Sequence, residues 1–175
     1  MINVLAIGRN TYSGNVDLCL TSRALGASEI TFIGKKDPRL IRYVNSINKD
    51  WGGTFRVSFA KSFHELIKNS DKAIKVYLTR FGVPLQSKDD MIRTYKNIIL
   101  ITATKNIPEL HKITDFNISV TSQPHCDTAA IAIFLHEYYK GRELAMHFEN
   151  AKYKLTDSNN KTIAFKKKET APHQK

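Results

Sequence analysis

Apolar residues along the chain arrive in short runs rich in Ile and Val, separated by stretches in which they recur at helical spacing. The runs predict strands at 3–7, 29–33, 55–59, 73–79, 97–103 and 116–120. Between them the pattern predicts helices at 17–25, 38–48, 62–69, 87–95 and 108–113, and a closing helix from 127 to 141. Pro38 and Pro108 suit first helical turns, Ser62 and Asp127 suit N-caps, and Gly26 and Gly141 suit helix ends, while DWGGT at 50–54 makes a turn. Strands alternating with single helices imply a mainly parallel sheet covered on both faces, an α/β fold whose ligands sit at the carboxyl ends of the strands. The loops that matter are then RNTYSGN after the first strand, LTRFGVPL after the fourth, ATKNIP after the fifth and TSQPHCD after the sixth.

The closing helix breaks the pattern. Residues 129–135, Ala-Ala-Ile-Ala-Ile-Phe-Leu, are an unbroken apolar run, where a surface helix shows one stripe, so burial on several faces is expected. After Gly141 the alternation stops, and NAKYKLTDSNNKTIAFKKK reads as a short hairpin turned at SNN. Residues 1–145 are therefore read as the main domain and 146–175 as a C-terminal hairpin and basic tail.

The 175 residues are 42% hydrophobic, enough for one core, and no stretch approaches the roughly 20 apolar residues of a membrane span. The start, MINVLAIGRN, reads as a strand and not as a signal peptide, so a cytoplasmic protein is expected. Cys19 and Cys126 are far apart and in no metal-type spacing, which argues against a disulfide framework or a metal site. A balance of 27 Lys and Arg against 16 Asp and Glu gives +11 and favours a polyanionic partner, nucleic acid foremost.

No loop matches a triphosphate-binding G-x-x-x-x-G-K-[ST] or a dinucleotide-binding G-x-G-x-x-G, so a cofactor would need another kind of pocket. DWGGTFRV, YLTRFGVPL, PELHKITDFNISV, SQPHCDTAAIAIFLHEYYKG and FENAKYKL run in order from 50 to about 162. Together they resemble the SPOUT methyltransferases, and within them the archaeal tRNA (cytidine-56) ribose 2′-O-methyltransferase family. The resemblance implies a C-terminal trefoil knot that cradles S-adenosylmethionine, a homodimer packed through the closing helix, and tRNA as substrate, with no metal. That packing would account for a helix apolar on most sides, with Ala129, Ala130 and Ala132 allowing close approach.

Carried over by the resemblance, the cofactor pocket uses Leu78 and its neighbours, the backbone of Ala103, Thr104, Lys105, Asn106 and Ile107, and the loop Thr121, Ser122, Gln123, Pro124, His125, Cys126 and Asp127. The family's first loop, G-H-R-P-x-R-D-x-R-x-T-T-H, is replaced here by a shorter one without the R-D-x-R pair, and Ser13 or Asn10 falls nearest its missing arginine. Arg9 is then the candidate catalytic residue, a stabiliser of the developing alkoxide, with the SGN segment letting its loop bend over a ribose. Asp17 is a possible base, although a plain helix cap suits it better, and Arg23 is assigned packing or phosphate contact. The family's second loop, G-A-E-K-V-P, is here ATKNIP. The missing pair leaves a second reading, a non-catalytic or retargeted RNA-binding paralogue. Lys166, Lys167 and Lys168 are candidates for further phosphate contact.

Overall fold

The structure is a computed structural model and describes residues 1–8, 11–158 and 161–166. Six parallel strands form one sheet in the order β3-β2-β1-β5-β4-β6, from β1 (Ile2–Ile7), β2 (Glu29–Ile33), β3 (Arg56–Ala60), β4 (Ile74–Pro84), β5 (Ile98–Ala103) and β6 (Phe116–Ser119). Each central strand is apolar on both faces because helices cover both: Ile2, Val4 and Ala6 point into one core, Leu5 and Ile7 into the other. The larger core is completed by α1 (Tyr12–Ala24), α2 (Pro38–Trp51), α4 (Asp89–Arg93) and α6 (Asp127–Tyr139). The smaller one is completed by α3 (Phe63–Lys68) and α5 (Leu110–Ile113).

Helix α2 runs through Asp50 and Trp51 of DWGGT before Gly52 ends it, and α5 starts at Leu110, two residues beyond Pro108; three further elements differ more from the pattern-based reading. Helix α1 begins at Tyr12, not 17, because the Thr11 side chain accepts from the Gly14 amide and caps it. Ser13, Gly14 and Asn15 are therefore helical and supply no hinge, and Asp17 lies inside the helix and caps nothing. Strand β4 runs on through most of the expected loop to Pro84: Leu78 and Val83 both pair with Ile118, so residues 79–82 leave the ladder as a bulge and the strand resumes beyond it. Gly82 makes this possible, since a Cβ there would lie 2.5 Å from the Asn117 carbonyl carbon.

The third is α6. Within one chain it buries a single face, Ala130, Ile131, Phe134 and Leu135, and Ile133 remains 40% exposed. It is fixed by Tyr139 Oη donating to the Gly26 carbonyl at 2.9 Å, Tyr138 Oη to the Tyr95 carbonyl at 2.8 Å and Arg93 Nη1 to the Glu137 carbonyl at 3.1 Å. Lys140 and Gly141 end it at φ 55° and 75°.

Beyond α6, residues 146–153 return across the sheet's amino end and dock on the DWGGT turn. Gly53 N donates to the Glu149 carbonyl at 3.0 Å and Lys152 N to the Asp50 carbonyl at 2.9 Å. Gly52 and Gly53 adopt φ 76° and 81°, and a Cβ on Gly52 would collide with the Glu149 carbonyl oxygen. Arg23, only 7% exposed, clamps the junction from α1. Its Nε donates to Asn48 Oδ1 at 3.0 Å, its Nη2 to the Gly52 carbonyl at 2.5 Å, and its guanidinium lies 4.6 Å from the Phe148 ring centre. Packing is thus its role. The expected hairpin follows as antiparallel β7 (Tyr153–Ser158) and β8 (Lys161–Lys166).

Candidate active site

Because the sheet is parallel, all its carboxyl ends lie along one rim, and the bulge of β4, the loop after β5 and the start of α6 meet there. They enclose a cleft of about 520 Å³, within the range of small-molecule sites. Leu78, Ala103, Thr104, Lys105, Asn106, Pro124, His125 and Asp127 line it. The expected Ile107, Thr121, Ser122, Gln123 and Cys126 are not in the lining but adjoin it. Ile107 packs into the smaller core and its amide donates to Tyr77 Oη at 3.3 Å, which fixes the loop after β5. Thr121 Oγ1 accepts from the Gln123 amide at 3.2 Å, and Ser119 Oγ donates to the Thr121 carbonyl at 2.7 Å, holding the turn before α6.

Of Leu78's neighbours in YLTRFG, Tyr77, Thr79, Arg80 and Phe81 line the cleft as expected, and the structure adds Thr102 and Ala130. Arg80 and Phe81 ride on the bulge, the guanidinium 5.4 Å from the ring centre, and Phe81 is 63% exposed. Of those two additions Thr102 carries a visible sequence signal, a hydroxyl near the carboxyl end of the otherwise apolar IILITA. It lines the cleft beside Asp127, expected to be the cap of α6. Asp127 is instead the first helical residue after Cys126, which caps with no side-chain bond. Burial raises the Asp127 pKa, while the Thr102 hydroxyl and nearby His125 pull it back towards the charged form. Tyr77 shares this environment: burial raises its pKa, the Ile107 amide lowers it and Asp127 raises it further. His125 Nδ1 donates to the Gln123 carbonyl at 2.7 Å, which leaves Nε2 as the acceptor in the neutral ring.

Strand β1 reaches the same cleft. Thr104 N donates to the Ile7 carbonyl at 3.0 Å, and Gly8, at φ 125°, lies so close to the Thr104 side chain that no Cβ fits. The chain therefore leaves β1 at the cleft's rim. Arg9, the expected catalytic residue, and Asn10 lie outside the described residues, as do Lys167 and Lys168. Among the described residues no group of three or more His, Cys, Asp and Glu side chains is placed to hold a metal, and no helix is long and apolar enough to cross a membrane.

The model of the family described as tRNA ribose 2′-O-methyltransferase, aTrm56, matches residues 51–164. A tRNA (cytidine(56)-2′-O)-methyltransferase of Methanococcus maripaludis is 35% identical over 159 residues, 87% of this chain and 88% of that one. A protein of the same description from Picrophilus torridus is 36% identical over 160 residues, 85% of this chain and 44% of its own. Among solved structures, the A. aeolicus TrmH/SpoU tRNA modifying enzyme superposes with a TM-score of 0.61 at 15% identity, covering 82% of this chain and 76% of that one. The SpoU methyltransferase AviRb from Streptomyces viridochromogenes, in complex with the cofactor AdoMet, gives 0.60 at 16% identity and covers 80% and 57%. Those two establish likeness of fold, and the sequence matches over most of the chain establish descent: the chain belongs to the tRNA ribose 2′-O-methyltransferase family aTrm56.

Proposed function

We propose that this protein methylates the ribose 2′-hydroxyl of cytidine 56 in tRNA with S-adenosylmethionine as donor. The observation that carries the reading is the rim cleft, formed where the family resemblance puts the cofactor and lined by eight of the residues expected there. Relatives named for cytidine 56 and a fold neighbour holding AdoMet support it. The cleft's chemistry fits such a molecule. The amides of Lys105 and Asn106 donate to no other group among the described residues, which leaves them for a polar ligand, and Asp127 is the only carboxylate of the lining. Bound there, S-adenosylmethionine supplies an electrophilic methyl group on a sulfonium cation.

The chain's own residues have three tasks. The loops after β5 and β6 hold the ligand by backbone groups, so replacement of the family's G-A-E-K-V-P by ATKNIP leaves the essential contacts in place. Asp127, beside Thr102, would offer a half-buried carboxylate to that cation. Arg9, next in sequence after Gly8, is assigned to the developing alkoxide, a role that suits a side chain which stays protonated. Orientation alone can supply roughly 7 to 11 kcal/mol of barrier reduction for well-placed partners. The exposed Ile133 face of α6 is assigned to a second copy of the chain, and threading of the last strand and helix through an earlier loop as a trefoil knot belongs to the same reading. A tRNA substrate would place the protein in the cytoplasm.

The test is isotope transfer from labelled S-adenosylmethionine to tRNA lacking the modification, with mapping of the product nucleotide. Transfer to cytidine 56 supports the reading, transfer elsewhere retargets it, and no transfer to any tRNA identifies a non-catalytic paralogue. Arg9→Ala should keep cofactor binding and slow single-turnover transfer by about 10²-fold or more. Light scattering should show a dimer at micromolar concentration, and a monomer refutes that part.

A further inference from the structure

The carboxyl ends of β2 and β3 form a second concavity on the same rim, a groove of about 730 Å³ beside the open edge strand β3. Its floor is apolar, with Ile41 from α2 and Phe59 from β3, and its mouth carries Lys35, Lys36 and Lys61. All three lysines are exposed, and none makes an ion pair among the described residues. The carboxylates of β2 and of the α2 cap are already engaged. Asp37 holds the Arg39 guanidinium at 3.0 Å, and Glu29 binds Arg56 Nη2 at 3.0 Å and Ser58 Oγ at 2.6 Å. No lining residue is acidic. Gly34 completes the mouth at φ 142°, and a Cβ there would meet nothing within 4 Å, so a bulky ligand can approach the backbone.

Three uncompensated lysines over open backbone suit a chain of phosphates. Between the middle of this groove and the middle of the cleft lie three strand spacings, about 14 Å, a length that a few nucleotides span. Strand β1, whose end adjoins Thr104, lies between the two. We propose that the Lys35–Lys36–Lys61 groove binds the RNA phosphodiester backbone and docks the tRNA while its target ribose reaches the cleft. The inference rests on tRNA being the substrate, and Lys105 at the cleft extends the same positive rim.

The test measures binding of unmodified tRNA across a salt series, for the wild type and for a variant combining Lys35→Gln, Lys36→Gln and Lys61→Gln. Loss of three phosphate contacts should lower the slope of log K against log salt by about 2 to 3, weaken binding on the order of 10²-fold near 0.1 M salt, and leave cofactor affinity unchanged. A slope within about 0.5 of wild type overturns the proposal. If the triple variant folds poorly, each single substitution should lower the slope by about 0.7 to 0.9. Methyl transfer by the wild type, measured in parallel, separates the two readings. Transfer with an unchanged slope sinks the groove alone, a reduced slope without transfer keeps the groove and sinks the reaction, and no tRNA binding sinks both. Unchanged RNA binding with lost self-association would assign the groove to a second copy and overturn the RNA reading.

Discussion

Asp127→Asn keeps the size and shape of the side chain and removes the only carboxylate lining the cleft among the described residues. A site of about 520 Å³ puts any cation inside it on the order of 5 to 8 Å from that carboxylate. At the effective dielectric that suits partly buried pairs, this separation corresponds to about 2 to 3 kcal/mol. Salt and the opposing charges of Arg80 and Lys105 reduce it to about 1 to 2 kcal/mol, roughly 5- to 30-fold in affinity. S-adenosylmethionine carries the sulfonium cation and S-adenosylhomocysteine does not, so calorimetry on both ligands isolates the effect. The variant should lose affinity for the first and keep most of its affinity for the second. Equal losses for both, or none for either, would refute the electrostatic role and reduce Asp127 to a partner of Thr102. The pH dependence has a defined sign. Burial raises the Asp127 pKa above its ordinary 3.8, so the wild type's preference for the cationic ligand should fade as pH drops through the raised value, and the variant's should not. The same shift works against folding at neutral pH. A raised carboxylate pKa contributes stability that is complete below the unfolded value and is lost as pH rises through the folded one, so Asp127→Asn should melt higher than wild type at pH 7.

Arg23→Ala should cost about 2 to 4 kcal/mol in urea unfolding and expose residues 146–153 to limited proteolysis, because it strands the Asn48 and Gly52 acceptors and removes the Phe148 contact; a loss under about 0.5 kcal/mol would contradict the clamp. Gly52→Ala should destabilise by about 2 kcal/mol or more through its positive φ and the collision with Glu149, and an unchanged melting temperature would refute that close approach. Thiol titration of the native protein should find one fast cysteine, the exposed Cys126. Cys19 is buried, its thiol pushed up to about 12, and should react only on unfolding. S-adenosylmethionine should slow the labelling of Cys126, which stands between His125 and Asp127 of the cleft; equal rates with and without it would count against binding there.

The sequence by itself determined the elements whose signal is local. The Ile- and Val-rich runs place five of the six sheet strands and the start of β4 within a residue, and Ser62, Pro38 and Gly141 mark helix boundaries, because backbone preference and periodic burial act over neighbours. The family motifs likewise pointed to the loops after β5 and β6 as one pocket. Local reading failed where a residue's partner is distant. Thr11 resembled any loop threonine until its side chain met the Gly14 amide, and the bulge of β4 exists because β6, more than thirty residues later, pairs with both Leu78 and Val83. Asp127 showed the chemistry of a helix cap, and only the packing of α6 against β5 turned its carboxylate to Thr102 and into the cleft. The groove of Lys35, Lys36 and Lys61 joins two loops some 25 residues apart, brought together by the pairing of Ile33 with Ala60. Composition sets the amount of positive charge, but the gathering of Lys35, Lys36, Lys61 and Lys105 on one rim follows from strands that all run the same way.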